Sequence, residues 1–235
     1  MFDPQQLLDQ FLGNNQQQEQ GQRSTRGRDL ATGAVAGGVI GLLLGGKSGR
    51  KLAKKGLQVG AMAALGGLAY KAYSDYKAGK PPLGIDLSGA GSTRTIEAEA
   101  RKAEGTPFLP APDAERADLA SGILRAMIAA AKADGHINAD EQKRIFEALG
   151  RMDLDADAKA FVMDELMTPL NIDMVVSAAK TPEQAAEIYA ASLMAIDASG
   201  AAERGYLAQL AARLRLEPGL VEHLHAAVEP ARAET

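Results

Sequence analysis

Residues 181–196 read TPEQAAEIYAASLMAI and carry the strongest helix signal in the chain. Thr181 is a favoured N-cap, Pro182 suits the first helical position, and Gln184 at the third position completes a capping box. The apolar residues at 188, 189, 193 and 196 then recur at helical spacing. This stretch predicts an amphipathic helix that begins at Pro182.

The same helical pattern extends on both sides of this stretch, from Asp113 to the C-terminus. Successive apolar-faced segments begin near residues 113, 138, 155, 172, 182, 201 and 218. Aromatic residues make up only 4% of the chain and Trp is absent, which disfavours a β-sandwich or barrel. Seven short helices over about 115 residues suffice for an independent core. We therefore expect an all-α domain over residues 113–235.

The N-terminal half has a different pattern. Residues 30–46 read LATGAVAGGVIGLLLGG, with no charge and with Gly33, Gly37, Gly41 and Gly45 four apart. Residues four apart share one helix face, so these glycines predict a groove for close helix packing. Glycine costs about 1 kcal/mol relative to Ala inside a water-exposed helix, whereas a bilayer enforces internal backbone hydrogen bonding. With a second uncharged run at 56–70, the pattern predicts membrane-associated glycine-zipper helices over 30–76.

Five basic residues separate the two uncharged runs. They are Lys47, Arg50, Lys51, Lys54 and Lys55. No acid and no aromatic residue interrupts them, so anionic lipid headgroups are a better predicted partner than nucleic acid. The first run would rise roughly 25 Å, short of the roughly 30 Å hydrocarbon core, which leaves a single span, a hairpin and a peripheral arrangement open. In a single span, the basic residues place the C-terminal domain in the cytoplasm.

The remaining segments complete the predicted domain organisation. Residues 1–29 predict a short amphipathic helix, started by Asp3 and Pro4, and then a disordered linker. Residues 77–112 hold five of the ten prolines and predict a linker with a short helix near 96–103. The net charge is +5 over residues 1–111 and −9 over residues 112–235, which favours a membrane-proximal anchor and a soluble domain. The absence of Cys excludes disulfides, thiolate metal sites and a Cys nucleophile.

Two turns of the C-terminal half share a pattern. ADGHINADE (133–141) and AIDASGAAE (195–203) each join an apolar helix to another helix through a glycine turn that ends at Glu. Their acidic residues cap helices and suit the helix dipole, which is one interpretation. The other is a cation site. A calcium-binding EF-hand is excluded because Lys132 would take one of its ligand positions.

On these residues the chain resembles the tellurite-resistance TerB-like fold, over roughly 115–229. The glycine-rich half and the LLDQFLG opening (7–13) make it similar to the YebE-like bacterial inner-membrane proteins of unknown function. The resemblance implies an inner-membrane location and an acidic turn cluster that binds a divalent metal. Carried over to this sequence, the candidate metal ligands are Asp134, Glu141, Asp197 and Glu203.

The function expected from these features is that of a non-enzymatic, membrane-anchored scaffold or stress-related protein. Its acidic helical domain would bind a protein partner or a second copy of the chain, with a divalent metal as the only candidate cofactor. The alternative is a nucleotide-binding protein or enzyme, because Gly41–Ser48 reads GLLLGGKS and satisfies the P-loop spacing. No strand–loop–helix pattern surrounds it, and glycine recurs there at helical spacing, so the scaffold is the preferred prediction.

Overall fold

In a computed structural model of the chain, the structure describes residues 3–13, 61–82, 90–133, 156–196 and 200–233. All regular secondary structure in these ranges is helical, apart from one isolated β-bridge between Glu104 and Leu109. The predicted all-α class is confirmed. The helices are α1 (Pro4–Gly13), α2 (Ala61–Lys77), α3 (Ala90–Ala103), α4 (Asp113–Ala131), α5 (Ala156–Met167), α6 (Ile172–Ser177), α7 (Pro182–Ala195), α8 (Ala201–Arg213) and α9 (Pro218–Ala233).

Helix α7 lies at the centre of the bundle. It packs against α2, α4, α8 and α9, and every residue from Gln184 to Leu193 is buried. Its start is as predicted: the Thr181 side chain accepts a hydrogen bond from the Gln184 amide at 3.2 Å, and the Gln184 side chain accepts from the Lys180 amide at 2.8 Å. The capping residues therefore determine where the most buried helix of the fold begins.

The other predicted helix starts in the described ranges also agree with the structure. Asp3 caps α1 by accepting from the Gln5 and Gln6 amides, and α5, α8 and α9 begin at or within one residue of the predicted positions. The helix predicted to begin at Asn138 lies outside the described residues. Side-chain caps thus fix the starts of three helices, α1, α6 and α7.

The described part of the N-terminal half belongs to the same core. Helix α2 packs against α3, α7 and α9, and its residues 64–69 are all buried. Leu7 and Leu8 of α1 join this core cluster. The second uncharged run, predicted to be membrane-associated, therefore turns the apolar face of its residues 62–69 toward protein. None of the described helices has both the length and the hydropathy needed to cross a bilayer.

Residues 90–110 differ from the linker predicted over 77–112. They form α3, which is longer than the short helix predicted near 96–103, and they bury Ile96, Ala100, Phe108 and Leu109. Proline and glycine in this segment end the helix and turn the chain, with Gly105 at a φ of +74°. The segment predicted to be a linker therefore packs into the core.

Glycine is what lets α2 lie so close to its neighbours. A β-carbon on Gly67 would stand 2.7 Å from the backbone nitrogen of Ala100 in α3, and one on Gly66 would stand 3.0 Å from Leu109 Cγ. Such distances leave no room for a side chain. The small residues of the second uncharged run therefore bring helix backbones together inside the protein.

Candidate functional site

Most site residues predicted from the sequence lie outside the described residues. These are Asp134, Glu141 and Asp197 of the candidate metal site, the zipper glycines Gly33, Gly37, Gly41 and Gly45, and the basic residues Lys47, Arg50, Lys51, Lys54 and Lys55. The Gly41–Ser48 stretch lies outside them too. Among the described residues, no three His, Asp or Glu side chains come together in a way that could hold a metal ion.

Glu203 is the one predicted metal ligand that the structure describes. It lies in the first turn of α8, and its side chain folds back over Gly200, the N-cap residue. Its Oε2 atom lies 1.8 Å from the position that a β-carbon on Gly200 would occupy. The carboxylate therefore fills the space above the N-cap, an arrangement that suits capping and the helix dipole.

Three large apolar side chains are exposed where α5 ends and α6 begins. Met167 is 65% exposed, Leu170 40% and Met174 41%, and these are the large hydrophobic residues that the described part of the bundle leaves in water. We call this surface the methionine edge. Methionine is flexible and polarizable, and it is over-represented on surfaces that adapt to protein partners. The edge is therefore a candidate interaction surface.

A small cleft lies beside the methionine edge, and its charged groups already have partners. Arg125 of α4 forms an ion pair with Glu165 at 2.7 Å. Lys132 is buried, and its Nζ donates to the backbone carbonyls of Glu165 and Thr168 at the end of α5. Burial lowers the pKa of Lys132. The cleft measures about 20 Å³, which is room for one water molecule and too little for an organic substrate.

A buried acid lies in the middle of α7, the central helix of the bundle. Glu187 is fully buried, and neither of its carboxylate oxygens has a hydrogen-bond partner among the described residues. Its Oε1 lies 3.3 Å from the position that a β-carbon on Gly66 would occupy, so the carboxyl faces the backbone of α2. Burial raises the pKa of Glu187 well above its ordinary value, because the charged form loses its hydration.

The C-terminal end of α2 is tied to α9 by polar side chains. The Tyr76 hydroxyl donates to the Glu217 carboxylate. The His223 ring stacks edge-on against Tyr76, with ring centroids 5.7 Å apart. The His223 Nε2 lies 3.0 Å from the carbonyl oxygen of Lys80, just beyond α2. These contacts bridge more than 140 residues of sequence and hold α2 in the bundle.

Neither the methionine edge nor Glu187 is predicted from the sequence, although each has a sequence signal. Met167, Leu170 and Met174 straddle Pro169, so they cannot share the face of one continuous helix. Glu187 is the only charged residue between 185 and 196. A lone charge in the middle of a strongly apolar helix indicates either a surface position or a buried acid, and only packing decides between them.

Comparison of the chain with curated proteins and with solved structures gives no match. A family comparison does: the family described as a protein of unknown function (DUF533) matches residues 29–228. The match spans both the glycine-rich segment and the helical bundle, which places both parts within one family unit. The chain therefore belongs to the DUF533 family, an uncharacterised TerB-like family.

Proposed function

We propose that this protein is a non-enzymatic scaffold at the bacterial inner membrane. Residues 30–60 attach the chain to lipid, and the helical bundle binds a protein partner through the methionine edge. The observation that carries this proposal is the exposure of Met167, Leu170 and Met174 where α5 ends and α6 begins. Its TerB-like family membership fits a stress-related role.

The chemistry of the methionine edge favours a protein partner over a small ligand. Contiguous exposed apolar side chains mark interaction surfaces on soluble domains. The neighbouring cations, Arg125 and Lys132, are engaged by Glu165 and by backbone carbonyls. An anionic ligand would have to displace those contacts, whereas an apolar partner helix or loop would only have to cover the methionines.

Site-specific photo-crosslinking in cells tests this surface. A photoreactive amino acid at Met174 should give a discrete crosslinked protein, either a second copy of the chain or another protein. The same probe at Ala208, on the exposed face of α8, is the control and should not. Identical crosslinking patterns at the two positions would contradict the proposal.

The membrane part of the proposal rests on residues 30–60, since α2 packs into the bundle from residue 62 onward. The full chain should stay in the membrane fraction after a carbonate wash, and deletion of 30–60 should release it. A C-terminal reporter active only in the periplasm would overturn the cytoplasmic placement of the bundle. Release of the full chain by high salt alone would argue against insertion.

We further propose that Asp134, Glu141, Asp197 and Glu203 are ligands of a divalent metal ion. A cation held by these carboxylates would stabilise the bundle by about 2.7 kcal/mol at a hundredfold excess over its dissociation constant. Thermal melting with calcium, magnesium, zinc or EDTA tests this, with Asp134→Asn as the comparison. A melting temperature unaffected by every cation would leave capping as the role of these residues.

Nucleotide binding tests the alternative function, that of a nucleotide-binding protein or enzyme using Gly41–Ser48. Tight nucleotide binding by the full chain that is lost in Lys47→Ala would favour this alternative over the scaffold.

A further inference from the structure

Helix α1 is distant from the rest of the bundle in sequence but packed within it in space. Residues 14–60 separate its end from the start of α2. Leu7 and Leu8 are nevertheless 1% and 0% exposed, and they belong to the core cluster that residues of α2 and α4 also form. The helix packs against both α2 and α4. Helix α1 is therefore part of the bundle and not a free terminal segment.

The ten-residue length of α1 means that it needs the bundle in order to stay helical. Isolated helices shorter than about 12 residues are marginal in water, even when an N-cap such as Asp3 satisfies the first amides. Burial of Leu7 and Leu8 supplies the packing that so short a helix lacks alone. A helical α1 is thus a docked α1.

The segment proposed to attach to lipid lies between two helices of one packed core. Residues 30–60 follow α1 and precede α2, so the chain leaves the bundle after Gly13 and rejoins it at Ala61. A single crossing by residues 30–46 would put α1 and α2 on opposite faces of the bilayer, separated by a hydrocarbon core of roughly 30 Å. Leu7 and Leu8 could not then join the core that contains α2.

Exchange of α1 between two copies of the chain does not make a single crossing possible. Copies with the same sequence insert in the same orientation, because the same charges flank the same apolar segment. After a single crossing, each α1 would lie across the bilayer from every bundle, its own and that of each neighbour. The packing of α1 on α4 therefore requires two crossings or none.

Two crossings would need a second apolar segment, and the chain has already used it in the bundle. Met62, Leu65 and Leu68 of the second uncharged run are buried in the protein core. A return crossing would have to use residues 47–61, which include five Lys and Arg residues. Charged side chains are costly inside a bilayer and rare in membrane-spanning segments. The physical argument therefore favours contact with the membrane from one face.

We propose that the protein contacts the membrane from one face only, with α1, the basic residues at 47–55 and the helical bundle all on that face. This inference rests on the proposed function, since it takes the lipid attachment of residues 30–60 as given. It also names the lipid partner: a single leaflet that contains anionic phospholipid, because five cations and no acid occupy residues 47–55. The bundle then lies next to that leaflet, connected to it through both α1 and α2.

Thiol labelling of the full chain in sealed membranes tests this topology, because the natural sequence has no Cys. The single-cysteine variants are Gln6→Cys on α1, Ser74→Cys on α2 and, as a matched control for the bundle, Glu222→Cys on α9. All three positions are exposed, so the substitutions should not disturb the fold. A membrane-impermeant maleimide should label all three in inverted inner-membrane vesicles. It should label none of them in spheroplasts until the membrane is permeabilised.

The outcomes separate this inference from the proposed function. Labelling of positions 6 and 74 from opposite faces, with the chain retained after a carbonate wash, would overturn the inference and leave lipid attachment intact. Release of the chain by the wash would overturn lipid attachment and this inference together. Labelling of all three positions from the periplasmic face alone would support one-sided contact and overturn only the cytoplasmic placement of the bundle.

Hydrogen exchange of the natural chain tests the docking of α1 without any substitution. The Leu7 amide donates to the carbonyl oxygen of Asp3 at 3.1 Å, and that hydrogen bond persists only while α1 is helical. In detergent-solubilised full chain we expect the α1 amides to exchange more slowly than in the same chain unfolded in urea. Exchange of α1 at the unfolded rate would show that it is not docked on α2 and α4, which would overturn the inference.

Discussion

Helix α2 and the methionine edge are both rich in small or apolar residues, yet the first is buried in the bundle and the second is exposed to solvent. Residues 64–69 of α2 are all buried, whereas Met167, Leu170 and Met174 stay exposed. Glycine explains the first case, because a helix without side chains at 66 and 67 lets other backbones approach it. In the second case α5 ends at Met167, two residues before Pro169, and the three large side chains lie between the end of that helix and the first turn of the next. Residue type alone therefore does not decide burial in this protein.

The largest test of this comparison is a side chain at Gly67. We expect Gly67→Val to destabilise the bundle by about 3 kcal/mol or more, because its β-carbon would stand 2.7 Å from the α3 backbone. Urea unfolding followed by circular dichroism measures the change. Gly205→Ala is the matched control, since nothing lies within 4 Å of a β-carbon there; it should stabilise α8 by up to about 1 kcal/mol. Equal effects at the two glycines would show that α2 is not closely packed.

The next largest effect concerns the buried acid beside α2. Glu187→Met keeps the volume and removes two buried oxygens that have no hydrogen-bond partner in the described part of the chain, so we expect stabilisation by about 1–3 kcal/mol at pH 8. The gain should shrink toward pH 4. Burial raises the pKa of Glu187 in the folded protein, so the natural protein loses stability as pH rises and the unfolded chain ionises this group first. Unfolding titrations at pH 4, 6 and 8 measure both. A gain that is the same at all three pH values would contradict the buried-acid interpretation.

A third test compares the N-cap of α7 with the last residue of α6. Thr181→Ala should destabilise the bundle by about 1 kcal/mol, because the α7 N-cap hydrogen bond to the Gln184 amide is lost. Ser177→Ala, near the methionine edge, should change the stability by less than about 0.5 kcal/mol, since Ser177 is exposed and bonds only within its own helix. Chemical unfolding of both variants measures the difference. A larger loss at Ser177 would reverse the ranking of core and edge.

The smallest effect is expected at the methionine edge itself. Met174→Ser should change the unfolding free energy by no more than about 0.5 kcal/mol, because the side chain is already 41% exposed. Met127→Ser, in the buried face of α4, should cost about 2–5 kcal/mol. Thermal melting of the two variants side by side measures this. A large loss at Met174 would mean that the edge serves the fold rather than a partner.

Several helix boundaries could be predicted from the sequence because they rest on local chemistry. Asp3, Thr181 and Asn171 each satisfy backbone amides within three residues of their own position. Pro182 and Pro218 occupy first helical positions, where the missing amide proton costs nothing. These interactions depend only on neighbouring residues, so spacing in the sequence is enough to find them.

The role of α3 and the residues of the candidate site were harder to predict. Residues 90–110 look like a linker because proline and glycine flank them, and their burial depends on Gly67, which lies far away in sequence. The exposed Met174 and the buried Met127 are the same residue type on helices of the same bundle. The metal ligands proposed at 134, 141 and 197 stay a prediction, and they lie outside the described residues.

The sequence by itself determined the helical class, most helix starts in the described ranges, and the unusual density of small residues near α2. Only the tertiary structure decided which surface those small residues face, that Glu187 is buried with no hydrogen-bond partner in the described ranges, and that the methionines at 167 and 174 remain in water. The physical reason is the sequence separation over which each kind of interaction acts. Capping and helical periodicity act over three or four residues, whereas burial depends on residues such as Gly66 and Glu187, which are more than a hundred positions apart in the chain.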